Sequence, residues 1–179
     1  MTLNEPPLRH MFELGGLSQA GAVVVIEADP QQRAGLAEWA GVDSVERLVG
    51  TVTLRRLSQT RFSYEADLSA DVTQSCVVTL EPVAGHISRA IARELQLAPR
   101  LPPDLQQTAV ELTLSAGDDD VPETLTNLNY DLAAPLLEEF VLGIDPYPRK
   151  EGAALALPAE PEVPQSSPFG ALKALKNRG

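Results

Sequence analysis

Residues 61–97 read RFSYEADLSADVTQSCVVTLEPVAGHISRAIARELQL, and the remainder of the chain has to fold around them. Phe62, Tyr64, Ala66 and Leu68 occupy every second position, with Ser63, Glu65 and Asp67 between them. This is the period of a strand with one buried and one wet face. The run Val77-Val78-Thr79-Leu80 beside Cys76 is β-branched and apolar, and predicts a second, more deeply covered strand. Residues 83–97 place Val83, Ile87, Ile91, Leu95 and Leu97 on one side if extended, although Arg89 and Arg93 interrupt that side. Ile87, Ala90, Ile91 and Leu95 would also line a helix, and the strand reading is adopted. Three neighbouring strands form a meander that cannot bury its apolar face alone, so flanking segments must cover it.

Working outward, Val23-Val24-Val25-Ile26 predicts a short buried strand. Asp29-Pro30 predicts a helix start, with Asp as N-cap and Pro at the first helical position. Leu36 and Trp39 lie on one helix face, Trp39 as a core anchor, and Gly41 is a stop. Val52 and Leu54 alternate within residues 45–57, and residues 57–60 make a turn into the strand at Arg61. Arg55, Arg56 and Arg61 form either a positive patch or cross-strand pairs with Glu65 and Asp67. Leu101-Pro102-Pro103 breaks the meander, and Val110, Leu112 and Leu114 restore alternation for one more strand. Asp131 predicts an N-cap for a helix over 132–142, whose apolar stripe is Leu132, Leu136, Leu137, Phe140 and Val141. Gly143 ends it, and Pro146 and Pro148 forbid continuation. The expected fold is α+β: an antiparallel β-meander or partly closed sheet covered by two helices, with a C-terminal tail ending in a short helix. Residues 1–150 form the domain and 151–166 a linker of Pro, Ala and Glu. Residues 167–179 form a short amphipathic basic segment with Phe169, Leu172 and Leu175 on one stripe.

Apolar content of 44% suffices for a core, and no run approaches the roughly 18 apolar residues of a membrane span. The first ten residues lack the basic and apolar blocks of an export signal, and a single Cys allows no internal disulfide; a cytoplasmic protein is expected. Charge is uneven. Residues 1–100 carry net −3, residues 101–148 carry ten acids with no Lys, Arg or His, and residues 149–179 carry net +2. The acidic band is either a solvated surface or a grip for basic partners. It argues against a nucleic-acid binder, which is usually basic because most of its affinity comes from neutralising phosphates. Asp118, Asp119 and Asp120 lack the alternating ligands and distal Glu of a Ca²⁺ loop. No zinc spacing and no phosphate-binding loop occurs, so no metal and no cofactor are expected. Cys76 reads as an inert core thiol; the catalytic alternative is hydrolysis or nuclease activity through a thiol–imidazole pair of Cys76 and His86 across a hairpin, or through the aspartates. Glu138 and Glu139 point to different sides of their helix. The chain does not read as an enzyme.

Three blocks resemble a known family. Residues 74–83, Gln-Ser-Cys-Val-Val-Thr-Leu-Glu-Pro-Val, resemble the central motif of the YceD family, the large ribosomal RNA subunit accumulation proteins. Tyr130-Asp131-Leu132 with Glu138-Glu139, followed by Asp145-Pro146-Tyr147-Pro148-Arg149-Lys150, resembles its second block. Residues 167–176, Ser-Pro-Phe-Gly-Ala-Leu-Lys-Ala-Leu-Lys, resemble its C-terminal signature, and Asp29-Pro30 with Arg33, Leu36 and Ala37 is similar to the N-terminal helix of alphaproteobacterial members. Many members carry Cys-x-x-Cys at the central motif, whereas Thr79 stands at the second position here. The resemblance implies a cytoplasmic bacterial factor for normal levels of large-subunit rRNA, with no catalytic residues defined. The expectation is a non-catalytic assembly factor that binds a basic large-subunit ribosomal protein or a pre-ribosomal particle. Its contact residues would be Asp118, Asp119, Asp120, Glu138, Tyr147, Arg149, Lys150, Phe169, Leu172, Lys173 and Lys176. The alternative is direct rRNA binding through Arg55, Arg56, Arg61, Arg89 and Arg93.

Overall fold

The computed structural model describes residues 6–98 and 122–154. Its elements in chain order are β1 (Met11–Glu13), β2 (Ala22–Glu27), α1 (Pro30–Ala40), β3 (Ser44–Arg56), β4 (Arg61–Ser75), β5 (Pro82–Leu97), β6 (Glu123–Leu125), β7 (Asn129–Asp131) and α2 (Ala133–Gly143). The fold is mixed α+β. Strands β2-β3-β4-β5-β6 form a five-stranded sheet, antiparallel except that β6 runs parallel to β5, and it does not close into a barrel. β1 and β7 pair separately, Met11 opposite Asp131.

The alternation that starts at Phe62 continues through Ala70 and Val72, so β4 is one strand of 15 residues with six buried side chains on one face. The opposite face carries Glu65, Asp67 and Asp71 towards water. Leu48, Val52 and Leu54 of β3 and Ile87, Ile91 and Leu95 of β5 meet the same inner face in register. Residues 83–97 are therefore extended, and the helical option is excluded. The strand expected over residues 77–80 is absent. Ser75 pairs with Pro82, so the six intervening residues must reverse the chain, and long-range register outweighs local β propensity. Cys76 N–H donates to Glu81 O at 2.8 Å, Leu80 N–H donates to Cys76 O at 2.9 Å, and Leu80 adopts φ 60°.

β2 is an edge strand and not the buried strand expected. Ile26 points inward, whereas Val23 and Val25 are exposed. α1 begins as predicted. Asp29 accepts from Gln32 N–H, Gln32 Oε1 in turn accepts from Asp29 N–H, and Pro30 opens the first turn. Gly41 ends the helix in the left-handed region at φ 70°, where a Cβ would be strained. α2 starts one residue later than a cap at Asp131 would dictate, because Asp131 is the last residue of β7 and Leu132 takes the cap position. Asp131 nevertheless accepts from Ala133 N–H (3.1 Å) and from His10 N–H (2.8 Å), which ties the N-terminal segment to the helix start. His10 is thus held by its backbone, whose carbonyl also accepts from Leu132 N–H (2.9 Å).

Leu132 at the cap and Leu136, Leu137 and Phe140 of α2 are buried in the core beneath the sheet, and each contributes about 1.5–3 kcal/mol by leaving water. Val141, the fifth member of the predicted stripe, is exposed. Gly50 of β3 and Gly143 permit close approach, since an added Cβ would strike Leu136 and Ile87 respectively. Tyr64 and Tyr130 meet edge to face at 6.1 Å between ring centres. Tyr64 donates to Leu132 O (2.9 Å) and Tyr130 to Glu123 Oε2 (2.9 Å), so the buried hydroxyls are satisfied. Burial, with the carboxylates nearby, raises both phenolic pKa values. Among the described residues no helix is long and apolar enough to cross a membrane. The strand over 110–114 and the linker and tail beyond residue 154 lie outside the described residues.

Candidate functional site

The turn between β4 and β5 is built to receive a distant piece of chain. α2 ends at Gly143, and prolines 146 and 148 force the following residues into an extended path. That path runs onto the turn. Gln74 Nε2 donates to Asp145 O (2.8 Å), Val77 N–H donates to Pro148 O (2.9 Å), and Lys150 N–H donates to Cys76 Sγ (3.4 Å). Lys150 Nζ lies 3.1 Å from Glu81 Oε1, and Asp145 caps its own turn by accepting from Tyr147 N–H. Residues 74–83 and 145–150, about seventy positions apart, thereby become one surface. It includes a shallow cleft of about 320 Å³ between the end of α1 and residues 144–148.

Cys76 sits at the centre of this joint. Its side chain is shielded from solvent, yet it does not belong to the hydrophobic cluster under the sheet; the cover is its own turn. Sγ receives N–H groups from Val78 (3.4 Å), Thr79 (3.5 Å) and Lys150 (3.4 Å). Donors aimed at sulfur favour the thiolate, so the pKa falls from 9.0 to about 6, chiefly through Lys150 N–H and then through Thr79. Cys76 is thus buried, as expected of a core thiol, but in the β4–β5 turn and outside the cluster under the sheet. It does not pair with His86, whose Nδ1 lies 2.6 Å from Asp71 Oδ1 on the wet face of the sheet. Glu81 has a lowered pKa because Lys150, and then Thr79, bond to its carboxylate.

What the joint presents outward is apolar and aromatic. Val77, Leu80 and Tyr147 are 47%, 78% and 72% exposed, with Arg149 and Lys150 alongside. Leu80 combines exposure with a left-handed backbone that costs a side-chain-bearing residue about 1–2 kcal/mol. Strain at an exposed apolar tip is a recurrent mark of contact sites. Tyr147, Arg149 and Lys150 were legible in the sequence; Val77 and Leu80 were not, because the strand reading buried them.

The other predicted contact residues divide differently. Glu138 is exposed on α2 but ion-pairs with Arg93, which also lies 3.6 Å from Glu123. Burial would lower the Arg93 pKa, but Glu138 and its neighbours outweigh it and the net shift is upward. Within residues 122–148, Glu123, Asp131, Glu138 and Asp145 all hold internal partners, so this part of the acidic band serves largely to hold the fold together. Asp118, Asp119, Asp120, Phe169, Leu172, Lys173 and Lys176 lie outside the described residues.

The five arginines of the alternative reading do not share a face. Arg55 and Arg61 occupy the wet side of the sheet, while the register places Arg56, Arg89 and Arg93 on the inner side. Arg56 donates to Leu14 O (3.3 Å) and Gly15 O (2.7 Å) and stacks on Phe62 at 5.6 Å. Arg61 ion-pairs with Glu94, not with Glu65 or Asp67. Among the described residues no three His, Cys, Asp or Glu side chains are grouped so as to hold a metal ion. Compared with family models, with curated proteins and with solved structures, the chain matches none.

Proposed function

We propose that the protein is a non-catalytic bacterial factor that supports accumulation of large-subunit rRNA and assembly of the large ribosomal subunit. It would act in the cytoplasm by binding a basic large-subunit ribosomal protein or a pre-ribosomal particle. One observation carries the reading: residues 74–83 and 145–150, which hold two of the blocks resembling the YceD family, are joined by direct bonds into one exposed surface. Val77, Leu80 and Tyr147 have the aromatic and apolar character of an interface centre. The net charge of −11 draws a basic partner towards it and speeds encounter at low salt. The scattering of Arg55, Arg56, Arg61, Arg89 and Arg93 over two faces supports protein contact over readout of bare rRNA.

Recovery of the tagged full chain from its native cells, with both protein and RNA identified, tests this directly. A large-subunit protein or particle should come down, and Tyr147→Ala or Leu80→Asp should cut recovery about tenfold or more, as loss of an interface anchor does. Neutralising Asp118, Asp119 and Asp120 to Asn should weaken recovery at low salt; an unchanged yield removes that loop from the interface. Large-subunit rRNA fragments should not be retarded in a gel. Recovery without any ribosomal component would overturn the proposal.

A further inference from the structure

Helices α1 and α2 lie side by side on the sheet and leave an apolar groove of about 820 Å³ between them. Trp39 and Ala40 form one wall, Leu137, Val141 and Leu142 the other, and Pro6 closes one side. Leu142 is 71% exposed and Val141 41%, although both belong to a helix whose inner face is fully packed. The charged residue on the groove wall is Glu138, which Arg93 already partners; Glu139 follows it, and α2 contains no cation. A ligand for this groove needs a narrow apolar stripe with positive charge beside it.

The chain's own C-terminal segment has that composition. Phe169, Leu172 and Leu175 repeat every third residue, and Lys173, Lys176 and Arg178 accompany them. The tether fits as well. Residues 144–148 pass beside Gly41 and Val42 at the end of α1, and the described chain continues over the β4–β5 turn to residue 154. Residues 155–166 supply twelve positions, which span about 17–21 Å as a coil and about 37 Å if extended. α2 itself is only about 16 Å long, so the whole groove is within reach. Tethering at this length gives an effective concentration on the order of millimolar, enough for a weak helix-in-groove contact.

We propose that residues 169–176 occupy the α1–α2 groove of their own chain, with Phe169 and Leu172 against Trp39 and Leu142 and with Lys173 and Lys176 at the acidic rim that Glu139 adds beside the Arg93–Glu138 pair. A partner that captures the tail then uncovers the groove. This goes beyond the proposed function and holds whatever the partner is.

Trp39 is the chain's single tryptophan, so its fluorescence reports the groove directly. In the purified full chain, Phe169→Asp with Leu172→Asp should raise acrylamide quenching of Trp39 about twofold and shift emission to the red as the tethered contact is lost. Lys173→Glu with Lys176→Glu should give a smaller change in the same direction. None of the contacts described above involves these positions, so loss of fold does not confuse the result. Quenching unchanged by the aspartates overturns the proposal. So does protection that fades on dilution, which would assign the groove to a second copy's tail. A Leu3→Asp variant that exposes Trp39 where the tail variants do not would assign it to the N-terminus.

Discussion

Replacing Gly50 with alanine tests whether α2 is held against the sheet by contact at the atomic level. Gly50 lies on the inner face of β3, and a Cβ built there collides with Leu136 Cδ1 and sits 2.9 Å from Cδ2 and 3.2 Å from Cγ. Leu136 is fully buried, so its methyl groups cannot swing into solvent to make room. Overpacking of this kind costs about 1–3 kcal/mol. Alanine recovers about 0.5–1 kcal/mol by restricting the unfolded chain. The net loss should be about 0.5–2 kcal/mol, read as a lower urea midpoint, or as about 2–4 °C in Tm for each kcal/mol. Leu136→Ala alone should cost about 2–5 kcal/mol, because it opens a cavity under the helix. In the double variant the new methyl enters the space that Leu136 vacated, so the costs should fall short of their sum by about 1–2 kcal/mol. Urea unfolding followed by circular dichroism measures all three. A Gly50→Ala protein as stable as the parent, or strict additivity in the double variant, would refute the packing argument.

Other expectations follow from the joint and its supports. The Cys76 thiol should titrate near pH 6 by ultraviolet thiolate absorbance, and a midpoint near the ordinary 9.0 would contradict the role given to Lys150 N–H. Since folding lowers this pKa, its stabilising contribution is complete above pH 9 and is lost as pH falls through 6; Cys76→Ala should remove that pH dependence. Leu80→Gly should leave stability unchanged or raise it by up to about 1 kcal/mol, since relief of a left-handed residue is partly offset by chain entropy. The same change should lower partner recovery, and a fall in both readouts would show Leu80 to be structural. Arg93→Met should cost about 0.5–1 kcal/mol, since Glu138 and Glu123 lose their shared cation but stay open to water, as an unfolding midpoint will show.

Legibility in the sequence followed the range of the interaction responsible. The period of β4 and the capping box of α1 depend on residues within a turn or two, and both stood in the sequence as they stand in the fold. Cys76 to Leu80 misled because β-branched residues suit a strand locally, while the register that turns them into a reversal is set across two strands of 15 and 16 residues. Val23 and Val25 misled in the same way, since their sequence resembles a buried strand and their place at the sheet edge is a tertiary matter. β1, β6 and β7 have three residues each, too few for any period to register. The acidic band was visible as composition, but only the structure tells which carboxylates hold Tyr130, Ala133 and Arg93 in place. For the site, Tyr147, Arg149 and Lys150 were readable from their proline-stiffened setting. Their union with the β4–β5 turn was not, because nothing near either segment encodes the other.

The pairing of Met11 with Asp131 carries a consequence for biosynthesis. Strands β2 to β5 can zip together as soon as residue 97 has left the ribosome, because each hairpin closes on its predecessor. The N-terminal strand has no such neighbour and must wait for about 120 more residues before its clasp exists. Until then the underside of the nascent meander, with Phe62, Tyr64 and Leu95, stays uncovered, and α2 arrives only after the clasp strand itself. Maturation of this protein is therefore gated by residues 129–143, and a chain stalled before them would display a greasy half-sandwich in place of a finished surface.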